Sequence, residues 1–459
     1  MSLELTAPER ALLAGDGGEG TAMAMRIVVA AAEMLGAERL VEITSAHIDG
    51  CLHHGDGGVE FAEALLRGGG RVAVPTTLNV GALDLLHPGL VRADPHTTGM
   101  ARRQMDAYVA MGAEPTFTCA PYQVGHEPAS GEQVAWGESN AIAFVNSVLG
   151  ARTERYGDFL DACCALTGRA PLHGLHVTEN RRGTVVIDVT RVPRSLVSRD
   201  AFYPVLGSWL GLEVGGDVPV IEGLPASTTR DQLKALGAAA ASTGAVALFH
   251  VVGVTPEAPT LEAALMLGSG PGTPPAGPAD GQPDGPLPGA RRGSPPGWAS
   301  QPMPRLAERL AVTPQMLRGA LDRLSTVAAA GRIDAVAVGS PHFSVEEFRE
   351  LGRLVGALQG ARLGVPFYAC TARATLEAIE ADGLADRLRA AGVEIVVDTC
   401  VVVTPILPAA GGVLMTNSGK FAHYGPSNTG YDVVYGSLED CVASAAAGRA
   451  VLDEVVWQW

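Results

Sequence analysis

Apolar positions recur at helical spacing through TAMAMRIVVAAAEMLGA (21–37) and through VEFAEALLRGG (59–69), which glycines stop. RLVEITSAH (39–47) and RVAVPTTLN (71–79) are instead short apolar runs that end in polar residues. The spacing therefore predicts helix, strand, helix, strand in the first third of the chain, the pattern of parallel βαβ units. It returns late in the chain. RIDAVAVGSPHFS (332–344) is a strand breaking into a polar turn, GVPFYACTARAT (364–375) a strand leading into a helix, and VEIVVDTCVVVTP (393–405) a valine-rich run carrying a cysteine. LGAAAASTGAVALFHVVGV (236–254) reads as a small-residue helix running into a buried strand. Two α/β regions are expected, 1–228 and 229–459, with no repeat at a fixed period. Residues 269–302 are rich in proline and glycine with few apolar positions, and are read as a disordered insertion without chemistry. Polar residues at strand carboxyl ends matter because open α/β sheets bind ligands there.

Composition narrows the function classes. A chain of 459 residues with a net charge of -16 lacks the clustered Lys and Arg that nucleic acid or an anionic membrane surface requires. The most apolar stretch, 236–254, is broken by glycines, a serine, a threonine and His250, so no membrane span is predicted. MSLELTAPERALLAGDGGEG at the start has neither a basic segment nor an apolar one, so it is not a secretory signal and a cytoplasmic location is expected. Seven cysteines, an odd number, do not make a disulfide framework, leaving reduced thiols or metal ligands. With 57 glycines and 33 basic residues of which two are lysines, Lys234 and Lys420, the chain carries the codon bias of a GC-rich genome.

Four polar clusters interrupt this background: 44–58, 115–141, 398–400 and TNSGKFAHYGPSN at 416–428. Cys51, Cys119 and Cys400 sit where strands give way to polar turns, whereas Cys163, Cys164, Cys370 and Cys441 lie in helical or strand-interior patterns and read as small buried hydrophobes. No CxxC pair is present, so spacing leaves a three-cysteine metal site open, with His47, His53 and His54 either joining it or solvated. Glu138 is an acid or base, or a glutamate favoured at a helix N-terminus. Lys420 is a compact point charge chosen over arginine, or a survivor of codon bias. No GxGxxG, Walker A or GxSxG signature is present.

SAHIDGCLHHGDGG, VPTTLNVGALD, TCAPY, AWGESNAIAFVNSVLGARTERYGDF, GRAPLHGLH, GSPHFS, DTCVVVTP and TNSGKFAHY together resemble the large subunit or catalytic region of the aconitase X family, over about residues 5 to 455 apart from 269–302. The resemblance implies an aconitase-like α/β fold, several lobes with parallel or mixed sheets around a central cleft. It also implies a small swivelling domain, without counterpart in this chain, that a separate subunit would supply. It implies a hydro-lyase. IDGCLHHG resembles the bacterial branch, which converts cis-3-hydroxy-L-proline to Δ1-pyrroline-2-carboxylate. GSPHFS departs from the archaeal branch, which dehydrates phosphomevalonate, because Ser340 stands where a cysteine is expected. The implied ligand set of an iron-sulfur cluster, 2Fe-2S rather than 4Fe-4S or mononuclear iron, is then Cys51, Cys119 and Cys400. His47, Glu138, Ser418 and Lys420 take catalytic roles, with Lys420 anchoring the substrate carboxylate, while Ser45, Thr76, Thr77, Asn79, Ser139, Asn140 and Asn417 line the substrate pocket. The alternatives are a dehydratase of the same fold acting on phosphomevalonate, or a metal-free small-molecule binding protein.

Overall fold

The apolar runs of the first third do form strands, but RLVEITSAH divides in two. Leu40–Glu42 pairs antiparallel with Arg169–Pro171, while Ser45–Ile48 lies between Thr76–Leu78 and Val134–Trp136 in a parallel sheet. The chain changes partner at the junction: Ile43 N–H bonds to the Gly168 carbonyl (3.1 Å) and Thr44 N–H to that of Gln133 (2.9 Å). This is a computed structural model, and it describes residues 3–268, 308–328, 331–360, 362–408 and 411–457. The stretch 269–302 lies outside them. Helices Glu19–Met34, Asp56–Arg67, Pro95–Ala110 and Leu160–Thr167 cover this first sheet and bury Met25, Val28, Leu65, Tyr108 and Met111. Each such side chain contributes about 1.5–3 kcal/mol by leaving water.

A second parallel sheet runs in the order His250–Val251, Pro219–Glu222, Val185–Asp188, Glu308–Ala311. Helix Arg230–Thr243, started by a Thr229–Gln232 capping box, packs on helix Phe202–Val214, and Phe202, Trp209, Leu236 and Phe249 form the core. Ala422, Val433 and Tyr435 join the same core, so the second lobe is continuous with the next sheet.

That third sheet has five parallel strands in the order Val393–Val397, Phe367–Thr371, Ala335–Phe343, Val413–Thr416, Asp432–Tyr435. By sequence this is third, second, first, fourth, fifth, so the order reverses between Ala335–Phe343 and Val413–Thr416. Such a reversal leaves a crevice at the strand carboxyl ends, the binding position of open α/β sheets. The central strand slips register against Phe367–Thr371 between Val338 and Phe343. Gly339 makes the slip feasible: its φ is +84°, and a Cβ there would stand 2.2 Å from the Cys370 carbonyl oxygen. Among the described residues no helix is long and apolar enough to cross a membrane.

Candidate active site

The two polar turns at the reversal point meet the end of the first sheet. Ser418 caps helix Gly419–Thr429, accepting from Phe421 N–H (2.9 Å), and its hydroxyl donates to the Ser340 carbonyl, tying the turns together. Lys420 follows in the first turn of that helix, where the macrodipole opposes a cation. Its ammonium donates to Glu138 Oε1, with the two side chains 12% and 6% exposed. Glu138 reaches over from the first lobe as N-cap of Ser139–Phe144, accepting from Ala141 N–H (2.9 Å) and from the Ser139 hydroxyl (3.2 Å). Its backbone holds φ +69°, a conformation that costs a non-glycine residue about 1–3 kcal/mol. The preceding Gly137 is required because a Cβ there would stand 2.4 Å from Asp161 Oδ2.

Two thiols face this ion pair. Burial pushes Cys119 up to about 12 and raises Cys400, and in both cases the nearby Lys420 ammonium pulls the other way, toward thiolate. Cys119 Sγ also accepts from His342 N–H (3.3 Å), and its carbonyl is held by Asn140 Nδ2 (2.9 Å). His342 is fully buried between Thr118 Oγ1 (2.9 Å) and the Thr399 carbonyl (3.1 Å), and burial holds it down to about 4. Cys51 has other company: its thiol points to the Asn79 carbonyl (3.0 Å), and its charged neighbours are Asp49 and Asp161. Cys370, by contrast, is close enough to Cys400 and Cys119 for both to raise it, after burial. Among the described residues no three His, Cys, Asp or Glu side chains stand arranged to hold a metal ion. Two buried thiols beside one ammonium do fit thiolate ligation of iron in donor chemistry.

The other candidate residues fall into two groups. His47, fully buried, shares Thr77 Oγ1 (2.8 Å) with His126, and Ser45 is buried nearby with its hydroxyl unpartnered among the described residues. Asn79 Nδ2 donates to Asp49 Oδ1, and Asp49 is pushed up to about 8 by burial and by Glu138, Asp158 and Asp161. Thr76 spends its hydroxyl on the Val74 carbonyl (2.8 Å). Asn417 and Ser418 line a cavity of about 40 Å³ with Ser340, Lys420 and Lys234. Through Pro204, Ala235, Phe343, Glu347 and Asn417 it adjoins a cleft of about 370 Å³ whose lining has eight carboxylate residues and one arginine, Arg199.

Sequence reasoning passed over His342, His126, Asp49, Cys370 and Lys234. The signal for Lys234 was its rarity. His342 stands inside the GSPHFS motif, one of the most distinctive in the chain.

Three family models match in succession: the aconitase X first domain over residues 2–179, the second over 183–271 and the third over 333–447. The chain is 41% identical to cis-3-hydroxy-L-proline dehydratase of Pseudomonas aeruginosa, over 99% of this chain and 72% of that protein. It is 36% identical to the phosphomevalonate dehydratase large subunit of Methanothermobacter thermautotrophicus, over 93% of this chain and 95% of that one. The crystal structure of Thermococcus kodakaraensis aconitase X in its holo form superposes with a TM-score of 0.79 at 31% identity, covering 96% of this chain and all of that one.

Proposed function

The chain belongs to the aconitase X family, and from that premise we propose that this dehydratase eliminates water from cis-3-hydroxy-L-proline to give Δ1-pyrroline-2-carboxylate. The observation that carries the reading is the Lys420–Glu138 pair, which joins the two lobes at the reversal point beside Cys119 and Cys400. An ammonium on a flexible stem suits the carboxylate of a small amino acid, with Asn417 offering a further donor beside it, while Ser418, whose hydroxyl donates to the Ser340 carbonyl, holds the turn in place. His47 is kept neutral by burial, which lowers its pKa, and so holds a lone pair to take the α-proton. Glu138, a carboxylate in its pair with Lys420, receives a proton from that ammonium along their hydrogen bond and passes it to the hydroxyl, which leaves as water; the proton that the ring nitrogen loses in the last step returns to Lys420. The enamine left behind is protonated at carbon while its nitrogen loses a proton, giving the cyclic imine.

An iron-sulfur cluster, the cofactor an aconitase-like family suggests, is proposed as 2Fe-2S on Cys119 and Cys400 with Cys51 as the third thiol. When bound, it supplies Lewis acidity toward the leaving hydroxyl. The acidic cleft supports a zwitterionic amino acid over phosphomevalonate, since eight carboxylate residues at the approach repel a phosphorylated acid. Because the chain matches proteins named large subunits almost from end to end, we propose that a small subunit completes the pocket. We place the reaction in the cytoplasm, where seven unpaired thiols stay reduced.

The test combines iron and acid-labile sulfide content with turnover of cis-3-hydroxy-L-proline and of phosphomevalonate, each with the small subunit present. Wild type should hold iron and turn over the amino acid, and Cys119→Ala and Cys400→Ala should each lose the iron. Cys51→Ala retaining its full cluster would remove Cys51 from the ligand set. Turnover of phosphomevalonate alone would overturn the substrate.

A further inference from the structure

One side chain spans the two thiol-bearing turns. His342 is fully buried, and every polar group it carries is bonded. Its Nδ1 lies 2.9 Å from Oγ1 of Thr118, the residue before Cys119, and its Nε2 lies 3.1 Å from the carbonyl of Thr399, whose peptide leads into Cys400. Its backbone N–H donates to Cys119 Sγ (3.3 Å). A carbonyl can only accept, so Nε2 carries the ring proton and gives it to Thr399. Thr118 Oγ1 already accepts from Ala120 N–H (3.1 Å), which leaves its own proton for Nδ1. The ring therefore holds one tautomer, with one arm to each cysteine turn.

The backbone places the ring there. Between Val338 and Phe343 the central strand takes five steps while its neighbour takes two, from Ala369 to Thr371, so the residues between them leave the regular ladder. The His342 carbonyl accepts from Gln123 Nε2 (3.3 Å) and from Lys234 Nζ (3.2 Å), and Lys234 is itself held by Asp231 and Glu347. The ring is thus anchored from outside the two turns it joins. Among the described residues no hydrogen bond links the Thr118–Ala120 turn directly to the Thr399–Val401 turn; the two arms of His342, to residues 224 and 57 positions away along the chain, make that link. Space filling does not ask for a histidine here, because an apolar ring of the same size would fill the volume without two polar atoms to satisfy.

We propose that His342 is a positioning residue for a thiolate pair: its two ring nitrogens set the separation of the Cys119 and Cys400 turns, so that both thiols reach one thiophilic metal centre. The inference rests on the iron-sulfur reading above for what the pair holds, and on hydrogen-bond geometry for how the pair is held. Partners of this kind, one step out from the ligands, contribute about 10- to 100-fold to metal affinity.

The experiment titrates the reduced, iron-free, full-length chain with cadmium, read by thiolate-to-metal charge-transfer absorbance in the ultraviolet. Wild type should bind cadmium, and Cys119→Ala and Cys400→Ala should each abolish the signal, which assigns it to this pair among the seven cysteines. His342→Phe keeps the size of the ring and removes both arms, so cadmium should bind about 100-fold more weakly. Thr118→Val removes one arm and should weaken binding about 10-fold, while Thr118→Ser, which keeps the hydroxyl, should bind as wild type does. Where His342→Phe does not fold, the contrast between Thr118→Val and Thr118→Ser carries the test. Nitrogen-15 spectra of the same chain give a readout free of metal: the His342 ring should show the Nε2–H tautomer. Either folded variant, His342→Phe or Thr118→Val, binding cadmium as tightly as wild type overturns the proposal, and so does an Nδ1–H tautomer at His342 or a wild type that takes up no cadmium at this pair. A wild type that binds cadmium as expected, yet takes up no iron and sulfide on anaerobic reconstitution, overturns the cluster reading and leaves the positioning role standing.

Discussion

Replacing Lys420 by methionine keeps the stem of the side chain and deletes its charge. What remains is a Glu138 carboxylate that is 6% exposed, held by Ala141 N–H and the Ser139 hydroxyl, with Asp49, Cys119 and Cys400 as its other electrostatic neighbours. At hydrogen-bond contact and an effective dielectric near 20, the lost attraction is on the order of 5 kcal/mol. Relief of the unfavourable helix dipole returns about 0.3–1 kcal/mol. A net loss of about 3–5 kcal/mol is expected, the usual result of removing one partner of a buried pair. Lys420→Met with Glu138→Gln leaves no unpaired charge and should recover at least about 2 kcal/mol of that loss. Urea unfolding of the four members of this cycle, in the iron-free chain, measures both numbers, and amide exchange in Gly419–Thr429 and Ser139–Phe144 locates the effect. A single variant that loses less than about 1 kcal/mol, or a double variant no better than the sum of the singles, would refute a desolvated pair at this position.

Two further outcomes follow from other buried charges. Lys234, 2% exposed, bonds to Asp231 (2.8 Å), to Glu347 and to the His342 carbonyl (3.2 Å), so Lys234→Met should cost about 3 kcal/mol or more in thermal unfolding, with Glu347→Gln restoring part of it. Equal stability of Lys234→Met and wild type would show that this lysine does not hold the Ser340–His342 turn. Asp161, whose carboxylate accepts from Asp49 N–H (2.5 Å) and Ala162 N–H (2.7 Å), is raised by burial from 3.8 to about 6. The folded chain therefore keeps a proton between about pH 4 and 6 that the unfolded chain has lost; the stability this confers is complete below pH 4 and is lost as pH rises through 6. Wild type should lose on the order of 3 kcal/mol more than Asp161→Asn between pH 4 and pH 7, and parallel pH–stability curves would contradict this.

The sequence carried the skeleton of the site because period and turn chemistry are local. The strand carboxyl ends at Ile48, Leu78, Phe343 and Val397 lie in or directly beside the runs that predicted them, and Ser418 caps the helix that opens TNSGK. What stayed hidden depends on partners far along the chain. Lys234 sits in an ordinary amphipathic helix, and nothing near it announces Glu347, 113 residues on. Cys370 has the pattern of a strand interior, which it is; its closeness to Cys400 comes from the pairing of Phe367–Thr371 with Val393–Val397. Thr77 was legible as a polar strand end, but its bond to His126 spans 49 residues and a loop without periodicity. The division of 39–47 into two strands was also invisible, because Ile43 and Thr44 change sheets through backbone bonds that leave no mark on side-chain pattern.

Local rules are broken where these distant segments meet. Lys420 stands at the end of a helix that repels it, Glu138 holds a left-handed backbone angle, and both leave water to reach each other. A chain selected for stability alone would fill the position with apolar residues, which often matches or exceeds a buried ion pair. The compensation lies nearby: the Lys234 cluster ties the Ser340–His342 turn to two helices, and Ser418 ties that turn to the next strand end. The Lys420–Glu138 pair thus stands at the reversal of a parallel sheet, next to an acidic cleft. On the proposed function, a cation so enclosed would attract a carboxylate once inside, while the carboxylate-lined cleft beside it would disfavour molecules carrying more than one negative charge. Selectivity for a small zwitterion would therefore arise, on the same proposed function, from the order in which a ligand meets the two fields.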